Sequence, residues 1–177
     1  MTRQPQDRVG TTTYQISMGW VGIAWSERGL VAVTLPQPTE DLALSQLPAG
    51  SSVLPLPPWL GLEVLTDKLR RYFEGEEVAF HEPLDPSLGT RFQRRVWAAV
   101  RTIRRGKTRT YGDIARMVGS PKAARAVGQA VARNPRPIIV PCHRVVGSDG
   151  SLTGFGGGLG MKRQMLSMEG AIQVDET

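Results

Sequence analysis

The sequence predicts a mixed α/β (α+β) protein, a β-sheet domain with a helix followed by a helical domain containing a helix-turn-helix. Three observations carry this. Short β-branched and aromatic runs crowd the first third of the chain. Apolar stripes at helical spacing, bounded by cap residues, fill the second half. The charge divides as well: residues 1–80 hold 6 Lys/Arg against 9 Asp/Glu, whereas residues 81–177 hold 16 against 7. At 177 residues and 40% hydrophobic content the chain can bury a real core, in one domain or two small ones.

The elements follow in order. "TTTYQISMGWVGIAWSERGLVAVTLP" reads as strands broken near Gly19, at "SERG" and at Pro36, with "SERG" as the hairpin turn before "LVAVTL". The proline- and serine-rich "PQPTEDLALSQLPAGSSVLPLPP" is a surface connection with a short helical turn. "WLGLEVLTDKLRRYFEGE" places Leu62, Leu65, Leu69 and Phe73 on one helical face. "HEPLDPSLG" separates the two parts, giving an N-terminal α/β domain with its connecting loop at residues 1–84 and a C-terminal domain at 85–177.

The C-terminal part opens with "TRFQRRVWAAVRTI", where Phe92, Val96, Val100 and Ile103 form one stripe. Thr110 is an N-cap for "YGDIARMV", with Asp113 near the positive end of the helix dipole, and Gly119 ends that helix. Ser120-Pro121 is expected to start the next helix, "PKAARAVGQAVAR", which stops at Asn134-Pro135. On it Lys122, Arg125, Gln129 and Arg133 share a face, while Ala124, Val127 and Val131 lie roughly opposite. Ala123, Ala126, Ala130 and Gly128 keep the outer side free of bulk, which suits close approach to a narrow groove. The surface expected against nucleic acid takes in Lys122, Ala123, Ala124, Arg125, Ala126, Gly128, Gln129 and Arg133.

Charge and composition bound the function classes. From Arg91 to Arg144 there are 14 basic residues and one acidic residue, Asp113, a concentration that favours a polyanion, with nucleic acid foremost. No stretch has the roughly 18 apolar residues of a membrane span, and "MTRQPQDRVGTTTYQ" lacks a signal-peptide core. A reduced, intracellular (cytoplasmic) setting is the expectation. One cysteine and two histidines leave too few ligands for a structural zinc site and exclude an internal disulfide, so neither metal nor cofactor is expected.

That one cysteine, Cys142, lies in "RPIIVPCHRVVGSDG" beside His143. A lone cysteine is commonly an inert filler. Against this stand the cationic neighbours His143 and Arg144, which favour a thiolate, the reading of "PIIVP" as a rigid buried strand, and the basic helix pair just upstream. Consecutive side chains in a strand face opposite ways, so either the backbone turns at Pro141-Cys142 or a water connects thiol and imidazole. The imidazole needs an orienting acceptor, and Glu169 in "MKRQMLSMEG" is the candidate. "TGFGGGLGMK" matches no phosphate loop and reads as a flexible loop with Phe155 as a stacking side chain.

"PCHRVVG", with "RAVGQAVARNPRPIIV" before it and "TGFGGGLGMKRQMLSMEG" after it, closely resembles the methylated-DNA–protein-cysteine methyltransferases, the O6-alkylguanine-DNA alkyltransferase family. The resemblance runs from about Gly89 to Gly170 and weakly through "GWVGIAWSERGLVAVTLP". It implies a ribonuclease-H-like N-terminal domain and a winged-helix-like C-terminal domain. It further implies stoichiometric, irreversible repair of O6-alkylguanine, and of O4-alkylthymine, in double-stranded DNA after minor-groove binding and base flipping. By the same resemblance Cys142 is the alkyl acceptor, His143 a water-mediated base, Glu169 its orienting group and Tyr111 the proton donor to the leaving guanine. Arg125 is the plug for the vacated stack and Asn134 a structural brace. Pro137, Val145, Phe155, Gly156 and Gly157 line the base pocket, with Phe155 standing where the family often has tyrosine. The implied protein is a monomer in solution, with cooperative assembly on DNA left open, and needs no membrane. The alternative readings are a non-catalytic lesion sensor or helix-turn-helix regulator and, further off, a cysteine hydrolase; relatives that only bind lesions replace the cysteine.

Overall fold

A computed structural model describes residues 9–48 and 54–173. The start of the N-terminal stretch and the middle of the proline-rich connection lie outside the described residues. The chain divides into two compact units, Met1–Leu88 and Gly89–Thr177.

In the first unit β1 (Gly10–Ile16), β2 (Gly19–Ser26) and β3 (Gly29–Val33) form an antiparallel sheet in the order β1-β2-β3. Two-residue turns join them, since Ile16 pairs with Gly19 and Ser26 with Gly29; the second is the "SERG" turn. α1 (Glu40–Ser45) is the short helical turn of the connection, capped by Thr39, whose side chain accepts the Leu42 N–H. α2 (Leu62–Phe73) buries Leu65, Leu69 and Phe73, while Leu62 on its first turn is half-buried. Asp85 fastens the "SERG" turn: it accepts from Ser26 Oγ at 2.5 Å and lies 3.5 Å from Arg28.

The second unit contains α3 (Arg91–Arg101), β4 (Arg109–Thr110), α4 (Tyr111–Met117), α5 (Ala124–Ala132), β5 (Val145–Val146) and α6 (Gly158–Met168). α3 begins in a capping box, with Thr90 and Gln93 satisfying each other's backbone N–H. Its stripe buries Val96 and Val100, and Trp97 joins them by donating from Nε1 to the Ala130 carbonyl at 2.8 Å. α4 has the same device in Thr110 and Asp113. Gly119, at φ +69°, closes it: its N–H bonds Arg116 O, and Ser120 N–H bonds Ala115 O, both at 2.9 Å. β4 and β5 pair in parallel, Arg109 with Val145 and Thr110 with Val146.

Three expectations are corrected. α5 starts at Ala124 rather than Pro121, and Lys122 and Ala123 precede it. A Ser-Pro pair suits a β-turn as well as a helix start, and here Ala123 N–H bonds the Ser120 carbonyl at 2.8 Å, a backbone acceptor in place of the serine side chain. Ala130 is buried, not on the outer flank, because Trp97 engages its carbonyl. "PIIVP" is a succession of turns rather than a strand. Prolines at 135, 137 and 141 remove three donors, and the N–H groups of Ile139, Val140 and Cys142 bond within the segment, so no ladder can form.

Candidate functional site

Two tight turns aim the cysteine. Ile139 N–H bonds Pro137 O at 2.9 Å across Ile138, whose φ of +75° is strained for a β-branched residue. Cys142 N–H bonds Val140 O at 2.7 Å across Pro141, whose φ −76° and ψ 67° are those of a relaxed inverse γ-turn. The Asn134 side chain braces the segment, accepting Arg136 N–H at 3.0 Å and donating to Val140 O at 2.9 Å. A residue strained like Ile138 costs about 1–3 kcal/mol and persists where its surroundings over-determine it; the Asn134 brace and the burial of Ile138, Ile139 and Val140 do so here.

Cys142, His143 and Arg144 then form one 3₁₀ turn, closed by Arg144 N–H to Pro141 O at 2.9 Å. Of the two geometries open to the thiol–histidine pair, the backbone takes the turn. With three residues per turn, the side chains point about 120° apart. Cys142 is 7% exposed, and His143 is wholly buried.

Behind the turn stands α6. His143 Nε2 lies 2.8 Å from Glu169 Oε1, and Arg144 donates from Nε to Oε2 and from Nη2 to Oε1, each at 2.8 Å. Arg144 Nη1 also donates to Ile103 O at 2.6 Å. The guanidinium that reads in sequence as a neighbour of the thiol is thus committed to Glu169.

These contacts set the charges. Burial alone would raise the Glu169 carboxyl, but hydrogen bonds from His143 and Arg144 hold it well below the usual range. Burial pushes His143 down, against the pull of Glu169. An ionised carboxylate only accepts, so Nε2 of the neutral imidazole carries the hydrogen and Nδ1 keeps the basic lone pair. Burial pushes the Cys142 thiol up, opposed by the Asn134 side chain and the charge of Lys162, so the thiol form rests and a base has a proton to take.

Lys162 is the residue that sequence reasoning missed. It is fully buried in α6 and donates from Nζ to Val145 O at 2.6 Å and to Thr153 O at 2.9 Å. Its pKa is pushed down by burial, against the pull of Cys142. The signal lies in the spacing: Lys162 stands at i to Met165, Leu166 and Glu169 at i+3, i+4 and i+7, a charge on the buried stripe.

A cleft of about 800 Å³ opens on the helix-turn-helix side, lined by Tyr111, Arg116, Arg125, Gly128, Ser148 and Thr153 among others. Thr153 Oγ1 donates to the Tyr111 hydroxyl at 3.0 Å. Phe155 meets the His143 ring edge-on, centroids 6.5 Å apart. Arg125, Ala126 and Gln129 are exposed on α5, Ala124 and Gly128 are half-buried, and Arg133 caps the helix end. Pro137 is half-buried, Val145 wholly buried, and Gly156 and Gly157 exposed. Among the described residues no group of three or more His, Cys, Asp or Glu could hold a metal, and no helix is long and apolar enough to cross a membrane.

A sheet unit followed by a helix-turn-helix unit, with a thiol presented on a proline turn against a histidine–carboxylate pair, defines a class of cysteine-bearing helix-turn-helix proteins. Profiles described as "6-O-methylguanine DNA methyltransferase, ribonuclease-like domain" and "6-O-methylguanine DNA methyltransferase, DNA binding domain" match residues 9–86 and 91–171. The crystal structure of Mycobacterium tuberculosis OGT in complex with DNA superposes with a TM-score of 0.75 at 39% identity, covering 92% of this chain and 93% of that one. An O6-methylguanine DNA methyltransferase from Methanococcus jannaschii gives 0.63 at 31% identity, covering 94% and 97%. The methylated-DNA–protein-cysteine methyltransferase of Mycobacterium tuberculosis strain H37Rv is 55% identical over 103 residues, 58% of this chain and 62% of that relative's length. The chain belongs to the 6-O-methylguanine DNA methyltransferase family.

Proposed function

We propose that this protein repairs alkylated DNA by moving a methyl or larger alkyl group from O6 of guanine to its own Cys142, once per molecule. The observation that carries this is the thiol itself: nearly closed off, fixed by two γ-turns, and backed by a histidine whose hydrogen is committed to Glu169. Nδ1 of His143 takes the thiol proton through a water. Sulfur attacks the alkyl carbon, the S–C bond forms as the C–O6 bond breaks, and the departing purine takes a proton from Tyr111. A thioether does not leave again under these conditions, so the protein is consumed. The same displacement applies to O4-alkylthymine.

A base stacked in a duplex cannot present its alkyl carbon to a thiol this enclosed, so the nucleotide rotates out. α5 enters the minor groove with its low outer face, Arg125 fills the vacated stack, and Lys122, Gln129 and Arg133 meet phosphates. Ala123, Ala124, Ala126 and Gly128 permit the approach. Pro137, Val145, Phe155, Gly156 and Gly157 hold the extruded base, and Asn134 keeps the turn rigid.

Intact mass after incubation with duplex DNA containing O6-methylguanine tests the reading. The expected result is one methylene gained, on Cys142, with at most one event per molecule and none in Cys142→Ser. Sustained turnover, or binding without any mass change, overturns it.

A further inference from the structure

We infer that Thr153 is a positioning residue for the transfer step: its hydroxyl aims the Tyr111 proton into the cleft, on a strap anchored by buried Lys162. The inference rests on the reading of Tyr111 as proton donor. Tyr111 opens α4, and the Thr110–Asp113 capping box fixes its backbone but not the rotation of its hydroxyl. A phenolic oxygen carries one proton and accepts through lone pairs. The Thr153 and Tyr111 hydroxyls lie 3.0 Å apart, and with Thr153 as the donor the Tyr111 proton is left to point elsewhere; both residues line the same cleft.

The loop bonds itself on either side of Thr153, Gly147 N–H to Ser151 O and Gly158 N–H to Phe155 O, both at 2.9 Å, and neither bond involves Thr153. Gly154, Gly156 and Gly158 have no atom within 4 Å of a would-be Cβ, so no neighbour packs against their backbone on that side. Thr153 itself is held by Lys162, which ties its carbonyl at 2.9 Å to the Val145 carbonyl at 2.6 Å. Val145 pairs with Arg109, two residues before Tyr111. A closed circuit results, β4 to β5 to Lys162 to Thr153 to Tyr111, all in the second unit. Its effect is chemical as well as geometric. As the proton passes from Tyr111 to the departing purine, the Thr153 hydroxyl hydrogen bonds to the phenolate left behind and stabilises it, until solvent returns the proton.

The test compares single-turnover methyl transfer from O6-methylguanine duplex in the parent, Thr153→Val, Thr153→Ser, Tyr111→Phe and the Tyr111→Phe/Thr153→Val double variant. Thr153→Val exchanges the hydroxyl of an exposed residue for a methyl, and the expected slowing is about tenfold, less than the roughly hundredfold or more that losing a general acid itself costs, because Tyr111 keeps its proton. Thr153→Ser should restore the rate, and Thr153→Val should add nothing in the Tyr111→Phe background. DNA affinity and Tm should not move. A Thr153→Val rate equal to the parent's, or the same slowing with and without Tyr111, overturns the inference while leaving the alkyltransferase reading in place. Failure of the parent to take up any methyl group overturns both.

Discussion

The carboxylate of Glu169 serves two partners at once: Oε1 lies 2.8 Å from His143 Nε2, and both oxygens receive Arg144. None of the His143 or Glu169 side-chain surface reaches solvent, and Arg144 shows 12%. Glu169→Gln keeps the shape but leaves the guanidinium facing an amide. Breaking a buried pair on one side is expected to cost about 3 kcal/mol, read as a lower urea midpoint. With the imidazole hydrogen no longer pinned to Nε2, methyl transfer should slow by about a hundredfold. An unchanged midpoint would show that the network does not hold the turn.

The same groups set an acid limb. Glu169 is depressed in the folded state, so its contribution is present above the unfolded pKa of about 4.3 and is lost as pH falls toward the folded value. His143 is depressed too, and below about pH 6.5 the unfolded chain gains an imidazole proton that the fold refuses. Urea midpoints should decline gently below pH 6.5 and steeply below pH 4.3 (approximate onsets from the unfolded values). In Glu169→Gln the steep limb should flatten while a gentle one persists. A profile level from pH 7 down to about pH 3 would contradict both assignments.

What could be read from the sequence was what local chemistry decides. The hairpin at Glu27-Arg28, the Val96/Val100 stripe, the Thr110–Asp113 box and the Gly119 stop each follow from residues within a few positions of one another. The start of α5 did not, because Ser120-Pro121 satisfies two local rules and the Ala123 N–H decides between them. "PIIVP" has the composition of a buried strand, and nothing in an isoleucine announces the positive φ at Ile138. In the site, Glu169 was legible as the carboxylate at the end of the last helix. The Thr153–Tyr111 bond joins residues 42 apart, beyond any spacing rule.

Asn134 spans the strained segment with one acceptor and one donor. Asn134→Ala removes both and leaves Arg136 N–H and Val140 O without that partner. The expected loss is about 2 kcal/mol of stability, with faster hydrogen exchange at 136–142. Asn134→Asp keeps the acceptor for Arg136 N–H but sets a carboxylate oxygen against the Val140 carbonyl, so it should lose at least as much as Asn134→Ala. A smaller loss in Asn134→Asp than in Asn134→Ala would show that the bond to Val140 O contributes little to the brace.

Lys162 places an ammonium against two carbonyls in the interior. Lys162→Met retains the stem but deletes both bonds. The loop from Ser148 to Gly157 should then become the first site of limited proteolysis, while α3 and α5 stay protected. Stability should fall by about 1–3 kcal/mol, the cost of leaving buried acceptors unmet. Proteolysis unchanged in the loop would remove Lys162 as its anchor and, with it, the fixed end of the strap that reaches Tyr111.

Arg125 extends from α5 into solvent at the edge of the cleft and has no described bond within the protein, as suits a side chain that acts only on a bound duplex. Arg125→Ala should therefore leave Tm unchanged and slow repair of O6-methylguanine in duplex DNA by tenfold or more, about the cost of leaving a vacated stack unfilled. Toward free O6-benzylguanine, which needs no extrusion, the same variant should react at nearly the parent rate. The two substrates separate the duplex step from the chemical step. Equal slowing on both would place Arg125 in the transfer chemistry instead, and no slowing on either would leave the vacated stack without its plug.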